Sequence, residues 1–286
     1  MLRLTKYCAN GNDFLLLNAY KTDLSNPSAL SSLARILCDR HSGFGADGFV
    51  VLLPTTERGC AYRWEFYNAD GSSAKMCGNA SRCVGSFAFT EGIAGAEHRF
   101  LSGSGQISVN IDLANPLLVE SGIGICKFLD SIKEQSIWGT EWFLVDSGVP
   151  HLLCFYPKLF SLESLTNLEN LARLKELRDK YNANVSIAFI YDRVTLYYAT
   201  FERGVENITL ACGTAAGALL AQAYTLGLTE SSVACIPPSR QNLQVRIDSR
   251  NSLYLKGEVL RIGMCELDNA LLEKSLENIL LSQGLV

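Results

Sequence analysis

Two cysteines, Cys77 and Cys212, sit in near-copies of one cassette: residues 66–82 (FYNADGSSAKMCGNASR) and residues 201–217 (FERGVENITLACGTAAG). At one fixed offset Phe66 matches Phe201, Cys77 matches Cys212, Gly78 matches Gly213 and Ala80 matches Ala215, while Asn68 falls opposite Arg203. In each copy a strand, 62–67 or 194–201, runs through a turn to a helix that the cysteine opens. A thiol in the first turn of a helix is expected to have a lowered pKa, because unpaired backbone N–H groups and the helix dipole favour the thiolate. The glycine after each cysteine leaves the backbone uncovered. The N–H groups of Gly78 and Asn79, and of Gly213 and Thr214, are thereby placed to converge on an anion such as a carboxylate. Two such thiols suit proton exchange at a carbon acid alpha to that carboxylate. One thiolate removes the proton from one face, the opposed thiol returns one from the other, and the stereocentre inverts. The scheme calls for neither a metal nor a pyridoxal cofactor.

The elements that must position these residues follow from the hydrophobic pattern. A strand follows the polar turn ANGND near the start, and residues 28–39 have helical spacing through Leu30, Leu33, Ala34 and Leu37. The glycine-rich loop HSGFGADG (41–48) precedes a buried strand at 49–53. Its G-x-G is no dinucleotide fingerprint, because it does not open a helix after a strand. Between the cassettes, strands are expected at 107–111, 117–120 and 143–145, then an amphipathic helix over 164–180 with Leu165, Leu168, Leu171, Ala172 and Leu177 on its apolar side. Short strands follow near 233–236, 243–247, 253–256 and 259–262, and a last helix over 269–281. Pro116 lies between the cassettes in a turn-prone stretch, a position for a domain boundary. The expected organisation is a domain over 1–116, completed by 268–286, and a second over 117–267.

Composition narrows the function. A chain of 286 residues, 48% hydrophobic, can bury a large core, and its 25 Lys and Arg against 29 Asp and Glu give no positive field for a nucleic-acid backbone. The start, MLRLTKYCANGNDF, shows no apolar signal-peptide core, and ten scattered cysteines fit a reducing cytoplasm better than a disulfide framework. With no C-x-x-C and only three histidines, a structural zinc site has little to build on. The uncharged stretch 210–228 (LACGTAAGALLAQAYTLGL) is long enough to raise a membrane span. Its glycines, threonines, glutamine and many alanines make it instead a buried helix of a soluble domain. Cys8, Cys38, Cys60, Cys83, Cys126, Cys154, Cys235 and Cys265 lack the cassette and read as small buried hydrophobes or incidental thiols.

The segments GNDF (11–14), CDRHSGFGADG (38–48), YNADGSSAKMCGNASRC (67–83), Pro150–His151 and FERGVENITLACGTAAG, in this order, resemble the diaminopimelate epimerases, cofactor-independent enzymes of lysine and peptidoglycan precursor synthesis. The resemblance spans most of the chain. It implies an α+β fold of two similar domains, each a curved mixed β-sheet wrapped around a central helix, with the active site in the inter-domain cleft. It makes Cys77 and Cys212 the acid/base pair and places His151 and Glu202 beside the thiols, where they help set protonation. Asn12, Asn68, Asn79 and Thr214, with the backbone of Gly78 and Gly213, correspond to substrate contacts, as does Glu202. Arg203 would grip the far carboxylate of an amino dicarboxylate, where a guanidinium binds two oxygens at once. No metal and no cofactor are implied; a homodimer is left open.

Two departures stand out. Gly148-Val149-Pro150-His151 replaces the usual Gly-Asn-Pro-His, and Val185-Ser186 stands where the resemblance leads us to expect Val-Asn, with Asn184 one place earlier. Both positions are expected at the end of the site that reads the non-reacting amino-acid group, so their loss should relax discrimination towards substrates such as glutamate. Two other functions compete. A proline or hydroxyproline racemase would share the thiol pair but typically has His where Asn79 stands. A thiol redox protein would use Cys77 and Cys212 as a regulatory disulfide, a role that gives the duplicated anion-binding helix starts no purpose.

Overall fold

The computed structural model describes residues 2–20 and 26–267, in two compact units: one runs to Ser121 and resumes at Glu258, the other is Gly122–Gly257. The helix expected over 269–281, and any completion of the first domain by 268–286, lie outside the described residues.

In the first unit β1 (Leu2–Ala9) pairs antiparallel with β2 (Asn12–Asn18), and β2 pairs parallel with β3 (Gly48–Leu53). Next come β4 (Tyr62–Asn68), antiparallel to β3, and β5 (Glu97–Ser102), parallel to β4. The antiparallel strands β6 (Gly105–Ile111) and β7 (Leu118–Ile125) complete the series. Two helices make the parallel crossovers: α1 (Pro27–Cys38) from β2 to β3, and α2 (Gly78–Thr90) from β4 to β5. Strands buried on both faces read as unbroken apolar runs, here FLLL and FVVLL. Alternation then sorts their side chains: Phe14, Leu16, Val50 and Leu52 pack with α2, whereas Leu15, Leu17, Val51 and Leu53 pack with α1. Helix α2 is the centre of its layer, with Gly78 through Ala88 all buried. Gly85 is needed there because a Cβ would come within 2.5 Å of Val109 Cγ1.

The second unit repeats this order with different residues. β8 (Lys127–Ser136) and β9 (Gly139–Asp146) form a hairpin, and β9 pairs antiparallel with β10 (Pro150–Phe155). β10 is parallel to β11 (Asn184–Asp192), which is antiparallel to β12 (Thr195–Glu202); the two-residue β13 (Asn207–Ile208) pairs with the end of β12. β12 is parallel to β14 (Ser232–Ile236), followed by the antiparallel β15 (Leu243–Ile247) and β16 (Ser252–Glu258). The crossovers are α3 (Leu162–Leu165) with α4 (Leu168–Tyr181), and α5 (Gly213–Thr225). The sequence of antiparallel and parallel pairings from β1 to β7 thus recurs from β9 to β16 once β13 is set aside. The duplication seen in the cassettes extends to the whole unit.

Several expectations change. The strand Leu260–Leu267, expected in the second domain, pairs antiparallel with β1 from Leu2↔Leu267 to Cys8↔Leu260, so it belongs to the first unit. The helix expected over 164–180 is two helices, because Asn167 caps α4 by accepting from the Asn170 N–H and restarts the helical phase. Leu168 is consequently 88% exposed, and Leu174 is buried beside Leu177. Strands β1, β5, β8, β10, β11 and the two-residue β13 were not anticipated; β8 is largely exposed and polar. The stretch 210–228 contains the 13-residue α5, and among the described residues no helix is long and apolar enough to cross a membrane.

Gly85→Ala should lower stability by about 1–3 kcal/mol from overpacking, offset by up to about 1 kcal/mol of helix propensity. Adding Val109→Ala should relieve the clash. Urea midpoints read this directly: a double variant no more stable than Gly85→Ala alone would contradict the packing account.

Candidate active site

Each cassette cysteine is the N-cap of its crossover helix: Cys77 with φ −150° and ψ 123° before α2, Cys212 with φ −121° and ψ 108° before α5. An N-cap thiol is a poor acceptor, and neither makes a side-chain capping bond. The first helical bonds run from Ser81 N–H to the Cys77 carbonyl (2.9 Å) and from Ala216 N–H to the Cys212 carbonyl (3.1 Å). The N–H groups of Gly78, Asn79 and Ala80, and of Gly213, Thr214 and Ala215, therefore precede the helical ladder and point outward from its start. A Cβ at Gly213 would lie 2.6 Å from Leu255 Cδ1, so a larger residue there would displace the end of that side chain.

In the second unit the structure gathers Cys212, Thr214, His151 and Glu202. The Thr214 hydroxyl lies 3.4 Å from Cys212 Sγ and 3.1 Å from His151 Nε2. The Glu202 carboxyl is hydrogen-bonded to the Cys212 thiol and accepts from Thr209 Oγ1 at 2.6 Å. Tyr198 donates its hydroxyl to the Cys212 carbonyl (3.0 Å), and Ser147 Oγ donates to the Thr214 carbonyl (2.8 Å), so the turn is held from both sides.

Protonation here reverses one expectation. Burial pushes the Cys212 thiol well up, Glu202 adds to the rise, and the Thr214 hydroxyl and Ala215 N–H oppose it without winning. The helix start does not make Cys212 a resting thiolate, because desolvation outweighs the local donors. Burial also raises the Glu202 carboxyl, against the hydrogen bonds from Thr209 and Cys212. His151, fully buried, is held down to about 3 by desolvation and then by Arg203, so its ring is neutral at ordinary pH. Its Nδ1 has no hydrogen-bond partner among the described residues. Placing the one ring proton on Nε2, shared with Thr214, avoids stranding a buried N–H donor.

Arg203 is exposed; its Nη1 donates to the Asn182 carbonyl (3.0 Å), and its backbone N–H donates to Asn184 Oδ1 (2.8 Å). Asn184 also sits opposite His151 in the β10–β11 register, so it, and not Ser186, is the asparagine of this neighbourhood. Ser186 is 0% exposed and its hydroxyl is 3.0 Å from that of Thr200, its register partner on β12. The Ser186 hydroxyl is thus engaged within the sheet, and Asn184 is the amide beside His151. Val149 remains half-buried, directly after Gly148, whose φ of +102° turns the chain.

In the first unit Asn12 and Asn79 meet: Asn79 Nδ2 donates to Asn12 Oδ1 at 2.6 Å. Asn12 Nδ2 donates to Asp47 Oδ2 (3.1 Å), and Arg82 Nη2 donates to Asn79 Oδ1 (2.8 Å) and to Asn10. Asp13 is bound by Lys6 and Arg40, and Arg40 also binds Asp47. Against the burial that would raise it, bonds from Arg40 and Lys6 hold the Asp13 carboxyl well below the usual range. Asn68 stands apart from this group, exposed at the end of β4 with its amide donating to Ser72 Oγ (3.0 Å). Asp47, Arg82, Tyr198 and Thr209 were not singled out beforehand, although all but Tyr198 lie within the quoted motifs. Among the described residues no group of three His, Cys, Asp or Glu side chains is placed to hold a metal.

The duplicated mixed-sheet units form a fold that solved epimerases share. A hydroxyproline epimerase from Agrobacterium vitis, solved with trans-4-hydroxy-L-proline bound, has this fold at a TM-score of 0.68 and 14% identity, with 92% of this chain and 91% of that chain covered. Residues 4–127 match the family described as diaminopimelate epimerase. The diaminopimelate epimerase of a Helicobacter pylori strain is 42% identical over 271 residues, 91% of this chain and 94% of its own. That of a Nitratiruptor species is 39% identical over 262 residues, covering 91% and 96%. The chain belongs to the diaminopimelate epimerase family.

Linkage gives the pH signature of the buried pair. Between about 3 and its ordinary 6.5, His151 binds a proton when unfolded but not when folded, so it costs stability as pH falls, by up to about 1.4 kcal/mol per pH unit. Glu202, raised above 4.5, holds a proton when folded that the unfolded chain has released, so in the overlapping window its contribution has the opposite sign. Relative to the unmodified protein, His151→Gln should gain stability from pH 7.5 to pH 5, and Glu202→Gln should lose it. Urea melts at the two pH values showing shifts of the same sign would refute the assignment.

Proposed function

We propose that the protein is a pyridoxal-independent epimerase that inverts one α-carbon of LL-2,6-diaminopimelate to give the meso form, with Cys77 and Cys212 as its acid/base pair. The observation that carries this reading is the recurrence of an N-cap cysteine, followed by uncapped helix N–H groups, in a family member with both cassettes intact. In the proposed cycle the C–H electron pair stays on carbon as one sulfur takes the proton, and the other sulfur supplies a proton to the opposite face. One cysteine enters as thiolate base and the other as thiol donor, and the reverse direction exchanges the roles. Charge that grows on the substrate carboxylate meets the N–H groups of Gly78 and Asn79, and of Gly213 and Thr214.

His151 and Glu202 tune this step through Thr214 and the Cys212 thiol. A neutral His151 adds no positive charge that would stabilise a resting thiolate, and Glu202 can take or return the proton that Cys212 exchanges between turnovers. Arg203, with Nη1 committed to Asn182, has its remaining N–H groups for the distal carboxylate. Asn12, Asn68 and Asn79 complete the proposed contacts. The setting is cytoplasmic synthesis of lysine and peptidoglycan precursors.

With the Ser186 hydroxyl engaged within the sheet, the proposed change in selectivity rests on Val149. An apolar side chain where relatives are expected to carry an amide removes a hydrogen bond that would reject substrates lacking the distal amine. Racemisation of L-glutamate should be measurable in the unmodified protein and weaker in Val149→Asn; no glutamate turnover in either would sink this part.

Incubation with LL-diaminopimelate in deuterated water should place deuterium at a single α-carbon. Cys77→Ala and Cys212→Ala should each lower turnover by about 10²- to 10⁴-fold. A protein that exchanges no α-proton but cycles between thiol and disulfide with a reductant is a redox protein, and the proposal fails.

A further inference from the structure

The amides of Asn12 and Asn79 form the middle of a four-residue hydrogen-bond chain with a charge at each end: Arg82 to Asn79, Asn79 to Asn12, Asn12 to Asp47. The ends differ in kind. A guanidinium has only donors and an ionised carboxylate only acceptors, whereas each amide can present either its oxygen or its nitrogen. Turning both amides over would set the Asn12 oxygen against the Asp47 carboxylate and the Asn79 NH₂ against the Arg82 N–H groups. Two repulsive contacts would replace two charge-assisted bonds. Both ends are themselves anchored. Arg82 is fully buried and also bound to Asn10; the Asp47 carboxylate also accepts from Arg40 Nη2 (2.8 Å) and from the Asp13 N–H (3.2 Å).

The polarity of the chain decides what the amides can offer a ligand. Asn79 Oδ1 is taken by Arg82 and Asn12 Oδ1 by Asn79, and one N–H of each amide is used in the chain. Each amide keeps a second N–H. The pair is thereby biased towards hydrogen-bond acceptors, such as carboxylate oxygens, and away from an ammonium group. We propose that Asp47 and Arg82 are positioning residues that lock the Asn12–Asn79 amide pair into one polarity, presenting two N–H donors to a carboxylate of the substrate. This rests on the reading above that Asn12 and Asn79 contact substrate, and it adds the residues that set how they do so.

Asp47→Asn is nearly isosteric and removes the acceptor-only end. It should raise KM for diaminopimelate about tenfold, the equivalent of about 1.4 kcal/mol, while kcat falls less. Arg40→Gln removes another partner of Asp47 but leaves the chain intact, and its KM should stay within about twofold of the unmodified value. An unchanged KM in Asp47→Asn, or an equal rise in Arg40→Gln, overturns the proposal. Side-chain amide NMR of ¹⁵N-asparagine-labelled, substrate-free protein reads the polarity itself. For Asn12 and Asn79, assigned by single substitution, one N–H of each pair should be protected from exchange and the other not. Equal protection within each pair overturns the proposal even if Asp47→Asn does not fold. If the unmodified protein exchanges no substrate proton but its amides show this asymmetry, the functional reading has failed and the locked polarity has not.

Discussion

A sulfur that must lose and regain a proton is buried beside a carboxyl that shares its preference for the neutral state, and the second unit is arranged around that conflict. Glu202 raises the cost of ionising Cys212, the Cys212 thiol partly offsets the cost of ionising Glu202, and burial raises both. At most one negative charge is comfortable between them, so their protonation is a property of the pair. The surrounding groups are nearly all uncharged hydrogen-bonding partners: the hydroxyls of Thr209, Thr214 and Tyr198, and a neutral His151. The Thr214 hydroxyl, which touches the sulfur, suits its position because it can turn from donor to acceptor as the sulfur changes state, without moving a heavy atom. A permanently charged neighbour would hold the pair in one state and work against turnover.

The first unit, built on the same series of strand pairings, solves a different problem at its helix start. Its polar residues are ordered by fixed charges: Lys6, Asp13, Arg40 and Asp47 on one side, buried Arg82 on the other. Fixed charges orient amides, where hydroxyls would allow them to turn. Duplication therefore supplied two equivalent backbone frames, a parallel β–α–β crossover with a cysteine at the helix start. The side chains around each frame then diverged towards orientation in one unit and proton exchange in the other.

Much of the frame could be read from the sequence. The starts of α2 and α5 follow from the Cys-Gly repeat, and the doubly buried strands from apolar runs. Strand β8, exposed and polar, had no such mark, and α4 lost its expected face because one capping asparagine restarted the phase. At the site, residue types within a motif were legible but their partners were not: Asn79 meets Asn12 across 67 positions, and Asn12 meets Asp47 across 35. No local pattern encodes such a meeting; the packing of α2 and of the loop before β3 against the start of β2 does. The same limit explains Ser186. Asn184 and Ser186 are two residues apart on β11 and share a face, so alternation does not separate them; their places along the strand do, Asn184 opposite His151 and Ser186 opposite Leu153 and Thr200. The ionisation of Cys212 was misjudged for a related reason: helix position is visible in sequence, but burial, which outweighs it, is not.

What makes either helix start useful is that the protein leaves it incomplete. An ordinary N-cap Ser, Thr, Asp or Asn would satisfy one of the opening N–H groups and add about 0.5–2 kcal/mol of stability. Cysteine at both caps forgoes that bond. Three N–H groups at each helix start then remain outside the ladder, with the dipole behind them favouring negative charge. A carboxylate arriving at such a start supplies the missing acceptor, and it does so more strongly as proton loss from the adjacent carbon pushes charge onto its oxygens. The stability withheld from the free protein is in this way returned most fully at the point of highest energy along the reaction, where a stronger interaction increases the rate rather than merely the affinity.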